Sequence, residues 1–238
     1  MENGGIPGRN YVPSNPDGPF PYSTADLTPQ EAGNDSGFYA APRFVTHIDD
    51  NAINTLRIYY NQVLPRKGKI LDFCSSWISH YPREVVQAAS TGELEVLGTG
   101  MNERELDKNP VLTHWSVQDL NRDPEVRLAG GDAGKLDAAT CVVSIDYLTK
   151  PVEVLQGIRR QSKSGSKIHL IVSNRCFPTK VVDQWLKADE DERLNMVGDY
   201  LWWSGWRKIE IQTLVEGSFM HDPLWVVRAE NENENTPY

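Results

Sequence analysis

The sequence predicts an α/β fold: a doubly wound sheet of seven mostly parallel strands that closes with an antiparallel terminal hairpin. Two observations support this prediction. Short apolar strands alternate with helical segments through five units, which is typical of a parallel sheet covered by helices on both faces. Two further apolar strands end the chain, and the short loop between them favours an antiparallel pair at one edge.

The folded domain is expected to span residues 38–228 of the 238-residue chain. Residues 1–37 contain six Gly and six Pro without helical or strand periodicity, so we expect a disordered or extended N-terminal arm. Residues 229–238 are predicted to form a polar C-terminal tail. These two segments account for a hydrophobic fraction of only 39%, which is low for a chain folded throughout.

The first helix is predicted from Val45 onward, because apolar residues recur at helical spacing until Pro65 stops it. The segment "KILDF" follows as a buried strand. Pro82 suits the first turn of the next helix, and Gly92 ends that helix. The remaining elements of this half are the strand "LEVLGTG", a helix over residues 103–108 and the strand "HWSVQDL".

The second half begins with a fourth strand in "LDAATCVVSIDYL" and, after a helix and a turn, a fifth strand in "KIHLIVS". A helical region follows from Thr179 to about Leu201. Within it, Asp189 is placed to cap a helix and Glu192 to reach back to the cap. The closing hairpin consists of "KIEIQTL" and "LWVVRA".

The composition argues against several classes of function. A net charge of −9 disfavours a role that rests on binding nucleic-acid phosphates. No apolar run reaches the roughly 18 residues of a membrane span and no signal-peptide pattern is seen, so we expect no membrane contact and a cytoplasmic location. Three scattered cysteines, and five histidines without ligand spacing, predict neither a disulfide scaffold nor a metal site. A serine hydrolase is disfavoured because the G-x-S-x-G motif is missing.

The strand motifs of this chain and the loops that follow them, taken in order, resemble those of class I S-adenosylmethionine-dependent methyltransferases over about residues 40–228. "ILDFCSSW" stands where that family has its glycine-rich loop, "LEVLGTGMN" at the end of its second strand, and "SVQDL" at the segment that holds adenine. "LDAATCVVSIDYLTKP" and "SKSGSKIHLIVSNR" are similar to its fourth and fifth strands. The chain is most similar to a methyltransferase type 11-like subgroup that carries "SSWISHYP" and "SNRCFPTK". The resemblance therefore implies a Rossmann-like methyltransferase fold.

The resemblance also implies S-adenosylmethionine as cofactor, S-adenosylhomocysteine as product and a small-molecule substrate. The implied cofactor-binding residues lie at the strand ends: Asp72, Cys74, Ser75, Ser76, Gly100, Met101, Asn102, Asp119, Leu120 and Ser144. Asp72 is expected either to contact the cofactor's amino group or to order the loop. Cys74 is not expected to act as a nucleophile, because nothing cationic is adjacent to it.

The candidate catalytic residues are His80, Asp146 and Tyr147, with His80 expected to accept a proton at a near-neutral pKa. The candidate substrate-binding residues are Tyr39, Arg43, Asn174 and Arg175, the first two as a lid over the cofactor. Ordinary capping, packing or loop hydrogen bonds remain open as alternative roles for these side chains.

Two departures from the family pattern concern cofactor binding. Ser75 and Ser76 stand in place of glycines, which let the backbone approach a ligand closely, and Trp77 is expected to pack or stack. Gly100 stands where the family has an acidic residue that bonds the ribose, and losing such a bond costs roughly 1.5–3 kcal/mol. Asn102 or Glu103 is expected to bond the ribose instead.

Two functions remain open at this point. The first is S-adenosylmethionine-dependent methyl transfer to a small-molecule acceptor, in which the protein mainly aligns an already activated methyl group. The second is a non-catalytic nucleoside-cofactor-binding or regulatory protein on the same fold, which the altered loop and missing acid favour. Four tryptophans of the late helical region indicate a core stripe or a homodimer contact: Trp185, Trp202, Trp203 and Trp206.

Overall fold

The computed structural model describes residues 6–13, 15–33, 35–130 and 135–232. The strands within these residues are β1 (Gly8–Asn10), β2 (Gly68–Phe73), β3 (Leu94–Gly100), β4 (His114–Val117), β5 (Leu136–Val142), β6 (Ser162–Ser173), β7 (Arg207–Val215) and β8 (Leu224–Glu230). The α-helices are α1 (Asp35–Phe38), α2 (Asp50–Val63), α3 (Arg83–Ser90), α4 (Glu103–Lys108), α5 (Pro151–Arg160), α6 (Asp183–Lys187) and α7 (Glu190–Trp203). A 3-10 turn over Ile145–Tyr147 follows β5.

All these strands form one sheet in the order β1-β7-β8-β6-β5-β2-β3-β4. The five strands from β2 to β6 pair in parallel, whereas β8 lies antiparallel between β6 and β7. The predicted mostly parallel sheet with an antiparallel closing hairpin is therefore confirmed. The sheet has one strand more than predicted, because β1 from the N-terminal arm pairs with the outer edge of β7.

The sheet carries a hydrophobic core on each face. In β2, Leu71 belongs to one apolar cluster and Ile70 to the other, and in β5 Ala139 and Ala138 divide in the same way. Successive side chains of a strand point to opposite faces, so this division indicates a core layer above and below the sheet. The doubly wound arrangement places the carboxyl ends of the parallel strands together at one edge.

Polar caps set where two of the longer helices begin. α2 starts later than predicted, after Asp49, whose carboxylate accepts the N–H of Ala52 at 2.7 Å. α7 starts with the predicted capping box, in which Asp189 and Glu192 each accept the backbone N–H of the other. A side-chain N-cap of this kind stabilises a helix by roughly 0.5–2 kcal/mol.

The N-terminal arm, expected to be disordered or extended, packs along the domain over its described residues 6–13 and 15–33, here called the strap. The hydroxyl groups of Tyr11 and Tyr22 both donate to the carboxylate of Asp199 in α7, the second at 2.8 Å. The Tyr11 ring lies against Gly198, where a Cβ atom would overlap it. Residues 1–5, 14 and 34 of the predicted arm and residues 233–238 of the predicted tail lie outside the described residues.

The tryptophans of the late helical region make contacts within the chain. Trp185 and Trp206 are buried in the core. The indole N–H groups of Trp202 and Trp203 donate to carbonyl groups of the strap, at 3.4 and 3.1 Å. Trp185 and Trp206 are thus core residues, as one of the two alternatives predicted, whereas Trp202 and Trp203 anchor the strap. A homodimer contact stays a prediction.

Candidate functional site

A cavity of about 300 Å³ opens at the carboxyl ends of β2, β3 and β5. In the sheet, β2 is flanked by β3 on one side and by β5 on the other, so the strand order reverses at this point. Open α/β sheets bind their ligands at such positions. Residues after β4 and β6, together with part of the segment that precedes α2, complete the wall.

The loop after β2 keeps a glycine-like backbone although it contains no glycine. Cys74 has a φ of 53°, in the left-handed region that glycine adopts without steric cost. The N–H of Ser75 donates to the carbonyl of Thr99 at 2.7 Å, which holds the loop close to the end of β3. Cys74, Ser75 and Ser76 all line the cavity.

Asp72 orders this loop from the end of β2. Its carboxylate accepts the hydroxyl groups of Ser75 and Ser79, each at 2.6 Å, and that of Thr140 in β5 at 3.1 Å. Burial raises the pKa of Asp72, and the three hydroxyl donors oppose that shift. The residue lines the cavity, but these hydrogen bonds match the loop-ordering role rather than a contact to a ligand amine.

Gly100 ends β3, and its lack of a side chain is a steric requirement. A Cβ atom at this position would overlap the carbonyl oxygen of Ser75 in the loop after β2. An acidic side chain at the strand end is therefore incompatible with this loop as it is folded. Gly100 and the adjacent Met101 line the cavity without offering a carboxylate.

The polar side-chain atoms of Asn102 contact other parts of the protein. Its oxygen caps α4 by accepting the N–H groups of Arg104 and Glu105, and its amide donates to the carbonyl of Tyr39 at 2.7 Å. A bond from Asn102 to a ribose has to compete with these contacts, although the residue lines the cavity. Glu103, the other expected ribose ligand, is exposed and lies outside the cavity wall.

Glu105 is a cavity carboxylate that sequence reasoning missed. Its two oxygens accept the Ser76 hydroxyl and the Arg43 backbone N–H, each at 2.6 Å. The carboxylate thus joins the loop after β2 to the segment before α2, close to the end of β3. In the sequence, Asn102 and Glu105 have the spacing of a helix capping box, which suggests a structural role and hides the position on the cavity wall.

Asp119 and Leu120 lie on the cavity wall after β4. One carboxylate oxygen of Asp119 accepts the N–H groups of Asn121 and Arg122, which is the geometry of an Asx turn. The other carboxylate oxygen has no hydrogen-bond partner among the residues that the structure describes. Asp119 therefore retains acceptor capacity next to the cavity, with the side chain of Leu120 buried beside it.

The segment after β5 places Ser144 and Tyr147 on the cavity wall but not Asp146. The Tyr147 hydroxyl accepts the N–H of Phe177 at 2.9 Å, which ties this segment to the one after β6. Asp146 is 3% exposed, and burial raises its pKa to about 7. Its carboxylate is thus held behind the wall, without direct access to a substrate in the cavity.

His80 lines the cavity and is 4% exposed. Burial lowers its pKa to about 4, because the imidazolium would lose its hydration. The expected near-neutral pKa is therefore wrong: His80 is neutral at pH 7 and a weak base. Its Nδ1 has no hydrogen-bond partner within the described part of the chain, and unpaired buried groups of this kind are uncommon in native structures.

Residues 35–47, here called the lid, supply part of the cavity wall and contact both Glu105 in α4 and Phe177 after β6. The Arg43 guanidinium lies over the ring of Phe38, 4.4 Å from its centroid, and 5.5 Å from the centroid of Phe177 after β6. Tyr39 and Arg43 both line the cavity, as the sequence predicts for lid residues. The lid is thus held by the hydrogen bond from the Arg43 backbone N–H to Glu105 of α4, and by the aromatic cluster of Phe38 and Phe177.

Trp77 anchors the lid from outside the cavity. Its indole N–H donates to the carbonyl of Val45 at 2.9 Å, and its ring packs edge-on against Phe44. The indole does not line the cavity and leaves it open. Of the two candidate substrate residues after β6, Arg175 lines the cavity, whereas Asn174 is exposed and does not.

Left-handed backbone conformations are concentrated at this site. Among the described residues, those other than glycine with such a φ are His47, Cys74, His80, Val143 and Lys208. All except Lys208 line the cavity. Each costs roughly 1–2 kcal/mol, and for β-branched Val143 the conformation is a genuine outlier. Strain of this kind is typical of functional sites, where the surrounding structure holds it in place.

No protein-family model matches the sequence, and no curated protein matches it either. Among solved structures, an S-adenosylmethionine-dependent methyltransferase from Archaeoglobus fulgidus is similar with a TM-score of 0.54 at 13% identity, over 76% of this chain and 94% of the other. Phosphoethanolamine N-methyltransferase 2 from Haemonchus contortus, in complex with phosphomonomethylethanolamine and S-adenosylhomocysteine, has a TM-score of 0.51 at 13% identity, over 89% of this chain and 61% of the other. This chain has the class I S-adenosylmethionine-dependent methyltransferase fold.

This chain also spans only 54% of another similar structure, the CurJ carbon methyltransferase, with a TM-score of 0.48 at 14% identity. At these identities the likeness concerns the fold alone.

No helix in the described ranges is long and apolar enough to cross a bilayer. Within the same ranges, no group of three or more His, Cys, Asp or Glu side chains is placed to hold a metal ion.

Proposed function

We propose that this protein transfers a methyl group from S-adenosylmethionine to a small-molecule acceptor. The observation that carries the proposal is the cavity at the reversal point of the sheet, bounded by a loop that keeps a glycine-like backbone without glycine. The Haemonchus contortus enzyme, bound to a small phosphorylated amine and S-adenosylhomocysteine, supports a small-molecule acceptor.

The residues of the cavity fit a nucleoside cofactor. The second oxygen of Asp119 would accept the exocyclic amine of adenine, beside the apolar Leu120. Glu105 would bond the ribose hydroxyls, because its carboxylate lies between the loop after β2 and the strand end at Gly100. The loop itself offers the hydroxyl of Ser76 and a backbone that approaches closely, as glycine would allow.

When bound, S-adenosylmethionine would supply an activated methyl group for the acceptor nucleophile, and the electron pair of the broken carbon–sulfur bond would remain on sulfur. The protein contributes alignment and the exclusion of water, and the lid residues Tyr39 and Arg43 are placed for both. With a pKa of about 4, His80 would accept a hydrogen bond from the acceptor rather than remove a tightly held proton. The site therefore suits an acceptor that needs no strong base.

A second candidate function is a non-catalytic nucleoside-cofactor-binding or regulatory protein. It is favoured by the weak basicity of His80 and by the position of Asp146 behind the cavity wall. Both candidates bind the cofactor, whereas only the first transfers its methyl group.

Binding of S-adenosylhomocysteine tests what the two candidates share. Ligand at a hundredfold excess over its Kd adds about 2.7 kcal/mol of stability, which raises the Tm of a domain of this size by roughly 5–11 °C. Thermal unfolding with and without the ligand measures this shift, and no shift at millimolar ligand would reject both. Transfer of a labelled methyl group to a panel of small amines, thiols and carboxylates then separates the enzyme from the binder.

The ribose assignment is tested by Glu105→Gln, with Glu103→Gln on the same helix as the matched control. A charge-assisted hydrogen bond is worth roughly 1.5–3 kcal/mol, so the first variant should bind S-adenosylhomocysteine about ten- to a hundredfold more weakly. The exposed Glu103 should have no effect. Calorimetric titration measures both, and equal affinities for the two variants would show that Glu105 does not hold the ribose.

A further inference from the structure

We propose that the methyl acceptor carries a carboxylate or phosphate group and that the guanidinium of Arg43 binds it. This inference names the class of substrate for the proposed methyl transfer and rests on that function. It follows from how the cationic side chains at the cavity are paired, and from where Arg43 lies.

Three lysine or arginine side chains line the cavity among the described residues: Arg43, Arg175 and Lys180. Two of them have acidic partners. Arg175 pairs with Asp222 at 2.8 Å, and the buried Lys180 pairs with Asp35 at 3.0 Å. Their charges are balanced within the protein, so neither is free to attract an anion without first losing a partner.

Arg43 differs from these two cations. Its backbone N–H, not its side chain, contacts Glu105. Within the described part of the chain, the guanidinium has no carboxylate within ion-pair distance and no hydrogen-bond acceptor. It is half-buried and faces aromatic rings, so its donors are partly withdrawn from water while no protein group replaces the lost hydrogen bonds.

The aromatic contacts orient this side chain for binding an anion. Stacking on Phe38 and Phe177 satisfies the flat face of a guanidinium but not the N–H groups along its edge. Those N–H groups match the two oxygens of a carboxylate or phosphate, which arginine binds in a bidentate manner. The rings limit the freedom of the side chain before a ligand arrives, so less entropy is lost on binding.

Two ligands would bring such an anion into the cavity: the acceptor and the amino-acid part of the cofactor. The position of Arg43 favours the acceptor. Its guanidinium lies against Phe38 and Phe177, and Phe177 follows β6, whereas the cofactor loop follows β2, with β5 between these two strands in the sheet. Tyr147, whose hydroxyl accepts the N–H of Phe177, lies on the same side.

The test uses the full-length protein saturated with S-adenosylhomocysteine and titrated calorimetrically with inorganic phosphate. The wild-type complex should bind phosphate, and Arg43→Gln should bind it at least about tenfold more weakly. Arg43→Lys, which keeps the charge but not the bidentate edge, should lie between them. Arg104→Gln, an exposed arginine outside the cavity wall, serves as the control and should match the wild type. No phosphate binding by the wild type, or equal binding by the wild type and Arg43→Gln, would overturn the proposal.

A second arm distinguishes the source of the anion. S-adenosylhomocysteine carries a carboxylate and 5′-methylthioadenosine does not, so their affinities are compared for the wild type and Arg43→Gln. The ratio should be the same in both proteins if Arg43 serves the acceptor. A loss confined to S-adenosylhomocysteine would assign Arg43 to the cofactor and reject the acceptor. If the wild type binds neither nucleoside, the proposed function fails, and phosphate titration of the free protein decides separately whether Arg43 binds anions.

Discussion

Two buried carboxylates, each with a pKa raised by burial, differ in the hydrogen bonds that the structure gives them. Asp199 in α7 accepts two tyrosine hydroxyls from the strap. Asp146, behind the cavity, has no side-chain hydrogen-bond donor among the described residues, and burial raises its pKa to about 7. The same contrast holds for the backbone: among the described residues other than glycine, most of those with a left-handed conformation line the cavity and none lies in the strap. Energetically unfavourable features, a buried carboxylate without side-chain donors and strained backbone, are therefore concentrated at the cavity. The strap instead stabilises the fold through hydrogen bonds.

The largest effect is expected from Asp146→Asn at alkaline pH. The pKa of Asp146 is raised in the folded protein, so the folded state holds its proton more tightly and stability falls as pH rises from about 4 to about 7. The variant removes this penalty and should be more stable than the wild type by up to about 4 kcal/mol at pH 8, with little difference at pH 4. Urea unfolding at several pH values measures the difference, and a difference independent of pH would contradict the assignment.

Gly100→Ala tests how tightly the cavity wall is packed. The added Cβ atom would overlap a backbone carbonyl, which cannot rotate away as a side chain can. We expect a loss of about 3 kcal/mol, together with weaker binding of S-adenosylhomocysteine. The control is Gly37→Ala in α1, where a Cβ atom meets nothing within 4 Å. If the two variants unfold at the same denaturant concentration, the loop after β2 is looser than described.

Asp199→Asn should have a smaller effect of the opposite sign to Asp146→Asn: burial raises the pKa of Asp199 too, but each of its two oxygens accepts a tyrosine hydroxyl, and an amide nitrogen cannot replace one of those acceptors. Two tyrosine hydroxyls donate to this carboxylate, and an amide provides a weaker, uncharged acceptor for them. Hydrogen bonds to charged groups contribute roughly 1.5–3 kcal/mol, so a loss of about 2 kcal/mol is expected at neutral pH. Chemical unfolding measures it. A stabilising result would remove the contrast between the two carboxylates.

Much of the fold could be predicted from the sequence, because buried parallel strands and their helices leave a strong apolar pattern. The seven predicted strands are present, and the capping box at Asp189 and Glu192 is confirmed. The eighth strand was missed, since Gly8–Asn10 is held by backbone pairing that a Gly- and Pro-rich composition does not reveal. The strap's anchors, such as Tyr11 on Gly198, join residues far apart in the chain and leave no local pattern.

The site was predicted in outline rather than in detail. Ser75, Ser76, Asp119 and Tyr147, which were predicted from the strand ends, all line the same cavity. The position of Glu105 was hidden by its capping-box spacing, and the low pKa of His80 depends on burial that no motif reports. The roles of all these residues stay predictions until a ligand is bound.

The strap has a practical consequence for anyone who shortens this chain. A version that begins at residue 38, where composition alone would place the domain boundary, loses β1 and leaves the outer edge of β7 unpaired. An open strand edge is a template for pairing with a second molecule. Aggregation of such a truncated protein would then reflect the missing strand together with the loss of the strap's hydrogen bonds to Asp199.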